Sequence, residues 1–168
     1  MSLRPLHLLG SPVLRQRSAE VGRPDDEVAQ LVEDLFETMD AARGVGLAAN
    51  QIGVARRVAV VDADEDRFEM IDPIIVESEG RAGAEEGCLS IPGYVAEVGR
   101  AAKVTVKARD RHGKEFRVKG EELFARALQH EIDHLNGVLY IDHLESLEEL
   151  VRVSDRPSEV EEEAAAGI

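Results

Sequence analysis

The chain has 168 residues, 43% of them hydrophobic and 32% charged, which is the balance of an ordinary soluble globular protein. It has no apolar run of about 18 residues that could span a membrane, and no N-terminal apolar stretch long enough for a signal peptide. A net charge of −14 without a basic stripe argues against nucleic acid as the main ligand. We expect one domain from the length of the chain and a cytoplasmic location from the lack of a signal-peptide pattern.

The first predicted element is a helix over residues 25–41. Its apolar residues recur at i, i+3, i+4, i+7, i+8 and i+11, which is typical of one buried helical face. These residues are Val28, Leu31, Val32, Leu35, Phe36 and Met39. Acids at the start of the segment lie where the helix dipole favours negative charge. Gly44 and Gly46 then open a predicted loop.

The middle of the chain has the pattern of short strands joined by turns. The predicted strands are Val58–Val61, Phe68–Ile71, Ile74–Val76, Lys103–Lys107 and Glu115–Lys119. A second helix is predicted from about Glu121 to Asn136, with Asn136-Gly137 as its stop. A helix, a run of strands and another helix predict an α+β fold with antiparallel sheets.

The end of the chain is strongly acidic. Residues 145–168 contain eight acids against Arg152 and Arg156, a net charge of −6. We expect a solvated helix followed by a frayed tail. The predicted boundary divides the chain into a folded domain, residues 1–150, and an acidic C-terminal tail, residues 151–168.

The sharpest local motif is HExxH, from His130 to His134, on the second predicted helix. Residues i and i+4 share one helical face, so both imidazoles can bind one metal ion. Glu131 is offset by one residue and would lie beside the ion, where a carboxylate can accept a proton from water. The motif alone is equally compatible with two surface histidines on an amphipathic helix.

A catalytic site of this kind usually has three protein ligands. No third histidine follows His134 at short spacing, because His143 lies beyond the helix stop. The remaining candidate is Cys88, the single cysteine. A lone cysteine is more often a small buried hydrophobe. However, Gly87 permits close backbone approach and Pro92-Gly93 predicts a turn, which favours a strand edge with the thiol facing a pocket.

The third cluster is Gly44–Gln51, between the first helix and the first strand. Its glycines and alanines permit close backbone approach, as in a phosphate loop. No basic residue follows to bind a phosphate, which argues against a nucleotide site. Gln51 is instead a neutral donor suited to an oxyanion.

Together these three segments resemble the peptide deformylase family. Its motifs GxGLAAxQ, EGCLS and QHExDH correspond to Gly44–Gln51, Glu86–Ser90 and Gln129–His134, in that order. The resemblance runs from Gly10–Arg15 to Leu139–Asp142, about four-fifths of the chain. It implies antiparallel sheets around a central HExxH helix, flanked by an N-terminal helix and a C-terminal helix or tail, with residues 1–150 as the catalytic domain.

The resemblance also implies the metal site and the reaction. Cys88, His130 and His134 would bind one divalent ion, naturally Fe²⁺ and replaceable by Ni²⁺, Co²⁺ or Zn²⁺. Glu131 would be the general base and then the acid that protonates the leaving amine. The implied reaction releases formate from the N-terminal formyl-methionine of newly made polypeptides.

Four further residues have implied roles. The Gln51 side-chain amide and the Leu89 backbone N–H would stabilise the oxyanion. Val45, Gly46 and Leu89 would line the pocket for the methionine side chain and the peptide backbone.

Two departures from the family pattern bear on structure and partners. Asp72-Pro73 stands where Asn-Pro is common, which we interpret as a structural difference. Some members dock on the ribosome through a basic C-terminal helix, whereas Glu159–Glu163 is acidic here. We therefore expect a monomer that meets nascent formylated peptides near the ribosome without docking on it directly, and that binds neither membrane nor nucleic acid.

Two other functions fit parts of the pattern. An HExxH endopeptidase would need a third ligand after the helix and would leave Cys88 without a role. A non-catalytic module could keep the metal for stability alone, but it would need neither Glu131 nor Gln51.

Overall fold

The computed structural model describes residues 2–63 and 65–155. Its two α-helices are α1 (Asp26–Ala41) and α2 (Glu122–Leu135), each within one residue of its predicted bounds. The strands are β1 (Gly46–Ala48), β2 (Val58–Ala63), β3 (Asp66–Glu79), β4 (Ala82–Cys88), β5 (Ile91–Arg100), β6 (Lys103–Arg109), β7 (Glu115–Glu121) and β8 (Val151–Arg152). Neither helix is long and apolar enough to cross a membrane.

The strands form two antiparallel sheets. The larger has the order β1-β2-β3-β6-β7, and the smaller has the order β4-β5-β8. Every pairing between named strands is antiparallel. The predicted α+β class with antiparallel sheets and two helices is therefore confirmed.

The larger sheet separates the two helices. Val58 and Val60 of β2 pack in the cluster formed with α1, whereas Ala59 and Val61 pack in the cluster formed with α2. Since alternate strand residues face opposite sides, the unbroken apolar run of β2 requires cover on both faces. Helix α2 also contacts β1, β6 and β7, so it is held by most of this sheet.

Four local predictions are wrong. The predicted loop after Gly44 contains β1, whose residues Gly46–Ala48 pair with β2. The two strands predicted on either side of Pro73 are one strand, because a register shift between Ile71 and Ile74 accommodates the proline. The turn predicted at Pro92-Gly93 lies three residues earlier, at Leu89-Ser90, and the proline is within β5.

The fourth correction concerns the acidic end of the chain. Residues 145–155 form short 3-10 turns and β8 rather than a solvated α-helix. Strand β8 pairs with the edge of β5, where Val151 faces Val95. Backbone pairing with an open sheet edge therefore prevails over local helix propensity. The predicted tail beyond Asp155 lies outside the described residues.

Asp72 has the structural role expected for it. Its carboxylate accepts the backbone N–H groups of Val21, at 2.8 Å, and Gly22, at 2.9 Å. Its φ of +51° is in the left-handed region that aspartate and asparagine tolerate better than most residues. Asp72 thus fixes the N-terminal segment against β3, far along the chain from the HExxH motif.

Candidate metal centre and active site

Helix α2 buries both histidines of the HExxH motif. His130 and His134 are each 1% exposed, which rules out a pair of surface histidines. Their Nε2 atoms are 3.1 Å apart because residues i and i+4 share one helical face. Burial, together with the neighbouring His130, holds the pKa of His134 well below its ordinary value. The His134 ring is therefore neutral, which is the form that binds metals.

Cys88 ends strand β4 and faces the same histidines. Its sulfur is 3.4 Å from His134 Nε2. A register irregularity between Gly87 and Cys88 precedes the Leu89-Ser90 turn, and this local kink carries the thiol to α2. Burial raises the pKa of the thiol to about 12, against opposing backbone hydrogen bonds from the turn.

The three side chains fit a soft divalent metal ion. Their donor atoms all lie within 4.8 Å of one another. Tetrahedral bonds of about 2.1 Å to nitrogen and about 2.3 Å to sulfur would separate donors by roughly 3.3–3.6 Å. Two of the three observed separations, 3.1 and 3.4 Å, are close to this range, and the third is within 4.8 Å. Because the ligand form of cysteine is the thiolate, ion binding would release the Cys88 proton.

Glu131 is a buried carboxyl group that forms no hydrogen bond with any of the residues that the structure describes. It has no exposed surface, and neither of its side-chain oxygens receives a hydrogen bond. Burial raises the pKa of Glu131 well above its ordinary value. Such a group is costly unless something outside the protein pairs with it, such as a water molecule or a cation. This orphaned carboxyl next to His130 is what a metal-assisted base requires.

Gly46 makes the close approach to Glu131 possible. A Cβ built at this position would lie 2.5 Å from Glu131 Oε2. At Gly46 the backbone of β1 therefore packs directly against the Glu131 carboxyl group, with no side chain between them. Any side chain here would displace Glu131 or bend the strand.

We expect Gly46→Ala to lower kcat by roughly 10- to 100-fold, because a misplacement of about 1 Å can cost that much. The matched control is Gly83→Ala, whose Cβ would meet only the end of the exposed Glu97 side chain. Steady-state rates of both variants on a formyl peptide, the substrate that the family resemblance implies, provide the measurement. Equal rates for Gly46→Ala and the control would show that Glu131 tolerates the displacement.

Gln51 lies in the short 3-10 helix Ala49–Ile52 that follows β1. Its Oε1 accepts the backbone N–H of Ala48 at 2.9 Å, and its Nε2 donates to Ser90 Oγ at 3.0 Å. The same nitrogen is 3.7 Å from Cys88 Sγ. Gln51 therefore presents a fixed amide to the cluster, as an oxyanion donor requires.

The neighbouring Asn50 ties this turn to α2. Its Nδ2 donates to the backbone oxygen of His134 at 2.6 Å, and the side chain has no exposed surface. Asn50 occupies the variable position of the motif GxGLAAxQ, so the sequence alone predicts no role for it. Its role depends on a contact across 84 residues, which no local pattern reveals.

Glu86 contacts the candidate site through His130, and the sequence pattern alone gave it no role. It is buried and accepts hydrogen bonds from Arg100, Arg126 and His130. Burial favours a raised pKa, but the hydrogen bonds from His130 and Arg100 prevail and lower the pKa of Glu86 to about 2. One signal was available: residues two apart in a strand share a face, so Glu86 and Cys88 could be expected to point toward the same helix.

The remaining predicted site residues have separate surroundings. Leu89 is partly buried, and its Cδ1 would lie 2.7 Å from a Cβ built at Gly44, so the turn covers the glycine-rich segment. Val45 packs on the core cluster shared with α2. His143 lies outside the donor cluster found among residues 2–63 and 65–155, and its Nε2 is 2.8 Å from Asp133 Oδ2.

The model of the polypeptide deformylase family matches residues 3–150. The chain belongs to this family. A peptide deformylase of Heliobacterium modesticaldum is 48% identical over 146 residues, covering 87% of this chain and 97% of that protein. The crystal structure of a Legionella pneumophila peptide deformylase matches with a TM-score of 0.84 and 42% identity, over 98% of this chain and 94% of the other. The crystal structure of a Synechococcus elongatus peptide deformylase in complex with actinonin matches with a TM-score of 0.82 and 42% identity. The match covers 86% of this chain and 80% of the other.

Membership of the family gives the activity. Peptide deformylases are metal-dependent hydrolases that act in protein biosynthesis, and the chain is an enzyme that removes the formyl group from N-terminal formyl-methionine. The buried cluster of one cysteine and two histidines supplies a site where a metal could bind.

Proposed function

We propose that Cys88, His130 and His134 hold one divalent ion at which the formyl amide is hydrolysed. The observation that carries this proposal is the convergence of three buried donors beside the orphaned carboxyl of Glu131. When bound, the ion supplies Lewis-acid chemistry and lowers the pKa of water to about 7. The HExxH helix would be the central scaffold, with residues 1–150 as the catalytic domain and residues 151–168 as a tail.

The side chains then divide the reaction between them. Glu131 accepts the proton of the attacking water and later delivers it to the departing amine nitrogen. The Gln51 amide and the Leu89 backbone N–H donate to the oxygen of the formyl group as negative charge develops on it. Because the Ala48 and Ser90 bonds already fix the Gln51 amide, little reorganisation is needed.

For the substrate, Val45, Gly46 and Leu89 are proposed to line the pocket for the methionine side chain and peptide backbone. Strand β1 lies at the edge of the larger sheet, where an extended chain could pair with it as a further strand. The substrates would be nascent formylated polypeptides, met in the cytoplasm by a monomer near the ribosome, without direct docking, membrane contact or nucleic-acid binding.

The native ion is proposed to be Fe²⁺, with Zn²⁺, Ni²⁺ or Co²⁺ able to replace it. A thiolate with two imidazoles is a donor set that accepts each of these metals. Metal analysis of protein purified without air tests the identity. A preparation that contains zinc and no iron, at full activity, would contradict the proposal of iron.

We expect Gln51→Leu to lower kcat by roughly 10²- to 10³-fold with little change in KM, the usual cost of one oxyanion donor. Metal content should stay near one ion per chain, since Gln51 is no ligand. Gln30→Leu is the matched control, because the side chain of that exposed glutamine donates to Asp34 within α1, outside the candidate site. Normal turnover by Gln51→Leu would mean that the amide only braces the turn.

Three substrates separate the proposed reaction from its alternatives. Metal-loaded enzyme is incubated with formyl-Met-Ala-Ser, acetyl-Met-Ala-Ser and casein. Formate release from the first alone is the expected result. Cleavage of casein would support an endopeptidase, and full metal occupancy without any hydrolysis would support a non-catalytic module.

A further inference from the structure

Glu86 is a buried carboxylate that does not enter the proposed reaction. It has no exposed side-chain surface, yet it forms ion pairs with two arginines. Arg100 and Arg126 are themselves almost completely buried. A buried ion pair is weak evidence for stability alone, because the cost of desolvation can exceed the electrostatic gain. The arrangement therefore calls for a reason connected with its position.

Each oxygen of the Glu86 carboxylate has two polar contacts. Oε2 receives Arg126 Nη1 at 2.6 Å and Arg100 Nε at 2.5 Å. Oε1 receives Arg100 Nη2 at 2.9 Å and contacts His130 Nδ1 at 2.9 Å. A carboxylate offers about four lone-pair sites, so its plane cannot rotate without losing a donor.

Arg126 is joined both to this carboxylate and to the sheet. It lies one helical turn before His130, so the two residues contact the two oxygens of one carboxylate from the same face of α2. Its guanidinium also donates to the backbone oxygens of Val98, at 2.7 Å, and Ala82, at 2.9 Å. The distance between α2 and the β4-β5 hairpin that carries Cys88 is thereby fixed at this point.

We propose that Arg126 is a positioning residue for the metal centre, acting through Glu86 on His130. Because the Glu86 carboxylate is fixed, it is the partner to which His130 Nδ1–H donates. This hydrogen bond orients the ring so that its other nitrogen, Nε2, faces Cys88 and His134. Partners of this kind set the tautomer and orientation of metal-binding histidines. The inference rests on the proposed metal site. The simpler alternative is that Arg126 only joins the helix to the hairpin.

Binding of Co²⁺ separates the two roles. The dissociation constant is measured by competition with a chelating dye for wild type, Arg126→Met, Arg126→Lys, Glu86→Gln and the double variant Glu86→Gln/Arg126→Met. The visible absorption of the cobalt-loaded proteins and the Tm of the metal-free proteins are recorded alongside. Arg111→Met is the control for loss of an arginine that links a helix to a sheet, because Arg111 joins α1 to β3 through ion pairs with Glu33 and Glu69.

We expect Arg126→Met to raise the Co²⁺ dissociation constant about tenfold, and Glu86→Gln to raise it by roughly 10- to 100-fold. The double variant should match Glu86→Gln within about twofold, because residues acting through one partner are not additive. Lysine at position 126 can still donate to Oε2, so Arg126→Lys should regain most of the affinity even if its Tm stays low. Arg111→Met should bind cobalt as wild type does.

Two results would overturn this role. An unchanged dissociation constant in Arg126→Met, with a lowered Tm, would leave Arg126 as a structural link. Fully additive effects in the double variant would show that it does not act through Glu86. Failure of the metal site itself is distinct: wild type would then bind no cobalt, or Cys88→Ala would bind it as tightly as wild type does.

Discussion

Replacement of Glu131 by glutamine should lower kcat by roughly 10²- to 10⁴-fold, the contribution of a positioned general base. The amide has nearly the same shape but cannot accept the proton of the attacking water. Glu131 is absent from the buried donor cluster, so metal content should stay near one ion per chain. Since a buried, unpartnered carboxyl is replaced by a neutral group, the Tm should be unchanged or slightly raised.

Glu131→Asp supplies the complementary variant. It keeps the carboxylate but withdraws it by one methylene, so its rate should lie between those of the wild type and Glu131→Gln. Initial rates on formyl-Met-Ala-Ser and metal analysis of both purified variants are sufficient. A metal-free Glu131→Gln protein would place Glu131 among the ligands and refute its assignment as the base.

Local sequence patterns predict the helices well because helical periodicity depends on neighbours three and four residues away. Helix α2 begins and ends within one residue of the expected bounds, and its HExxH spacing places both histidines on one buried face. The position of Glu131 beside the two histidines follows from the same helical spacing. This half of the candidate site is encoded within a single helical turn.

The other half depends on pairing between distant segments. Cys88 was identified by the lack of another soft ligand and by the family resemblance, whereas the turn expected to position it was misplaced. The strand that carries it, β4, contains two glycines and two glutamates, which disfavour strands, and it is formed by pairing with β5. Tertiary pairing thus overrides local propensity at the point where the third ligand is placed.

The supporting contacts were beyond sequence reasoning for a related reason. Glu86 meets Arg126 across 40 residues, and Asn50 meets His134 across 84. Each pair involves common polar residues whose spacing has no characteristic period. Only the three-dimensional arrangement shows that these residues are buried and that Glu86 and Asn50 both contact α2.

Replacement of any one proposed ligand should have the largest effect of all. Cys88→Ala, His130→Ala and His134→Ala each remove one of three protein donors, so metal content should fall well below one ion per chain and turnover should approach background. Glu131→Gln differs by retaining the metal. The contrast between these variants separates binding of the ion from proton transfer.

Stability provides an independent measurement of the same loss. A ligand that binds only the folded protein stabilises it by RT ln(1 + [L]/Kd), about 2.7 kcal/mol at a hundredfold excess over Kd. Added Co²⁺ should therefore raise the Tm of the metal-free wild type and leave that of the three ligand variants nearly unchanged. His112→Ala, an exposed histidine in the turn before β7, is the control for loss of any imidazole.

His143→Ala decides between the two ligand sets that HExxH chemistry allows. His143 is the downstream histidine that an endopeptidase-like site would recruit, but here its Nε2 faces Asp133 at 2.8 Å. We therefore expect His143→Ala to retain its metal and the cobalt-dependent rise in Tm, while Cys88→Ala loses both. The reverse pattern, with metal lost from His143→Ala and kept by Cys88→Ala, would replace the proposed thiolate with an imidazole and refute the assignment of the third ligand.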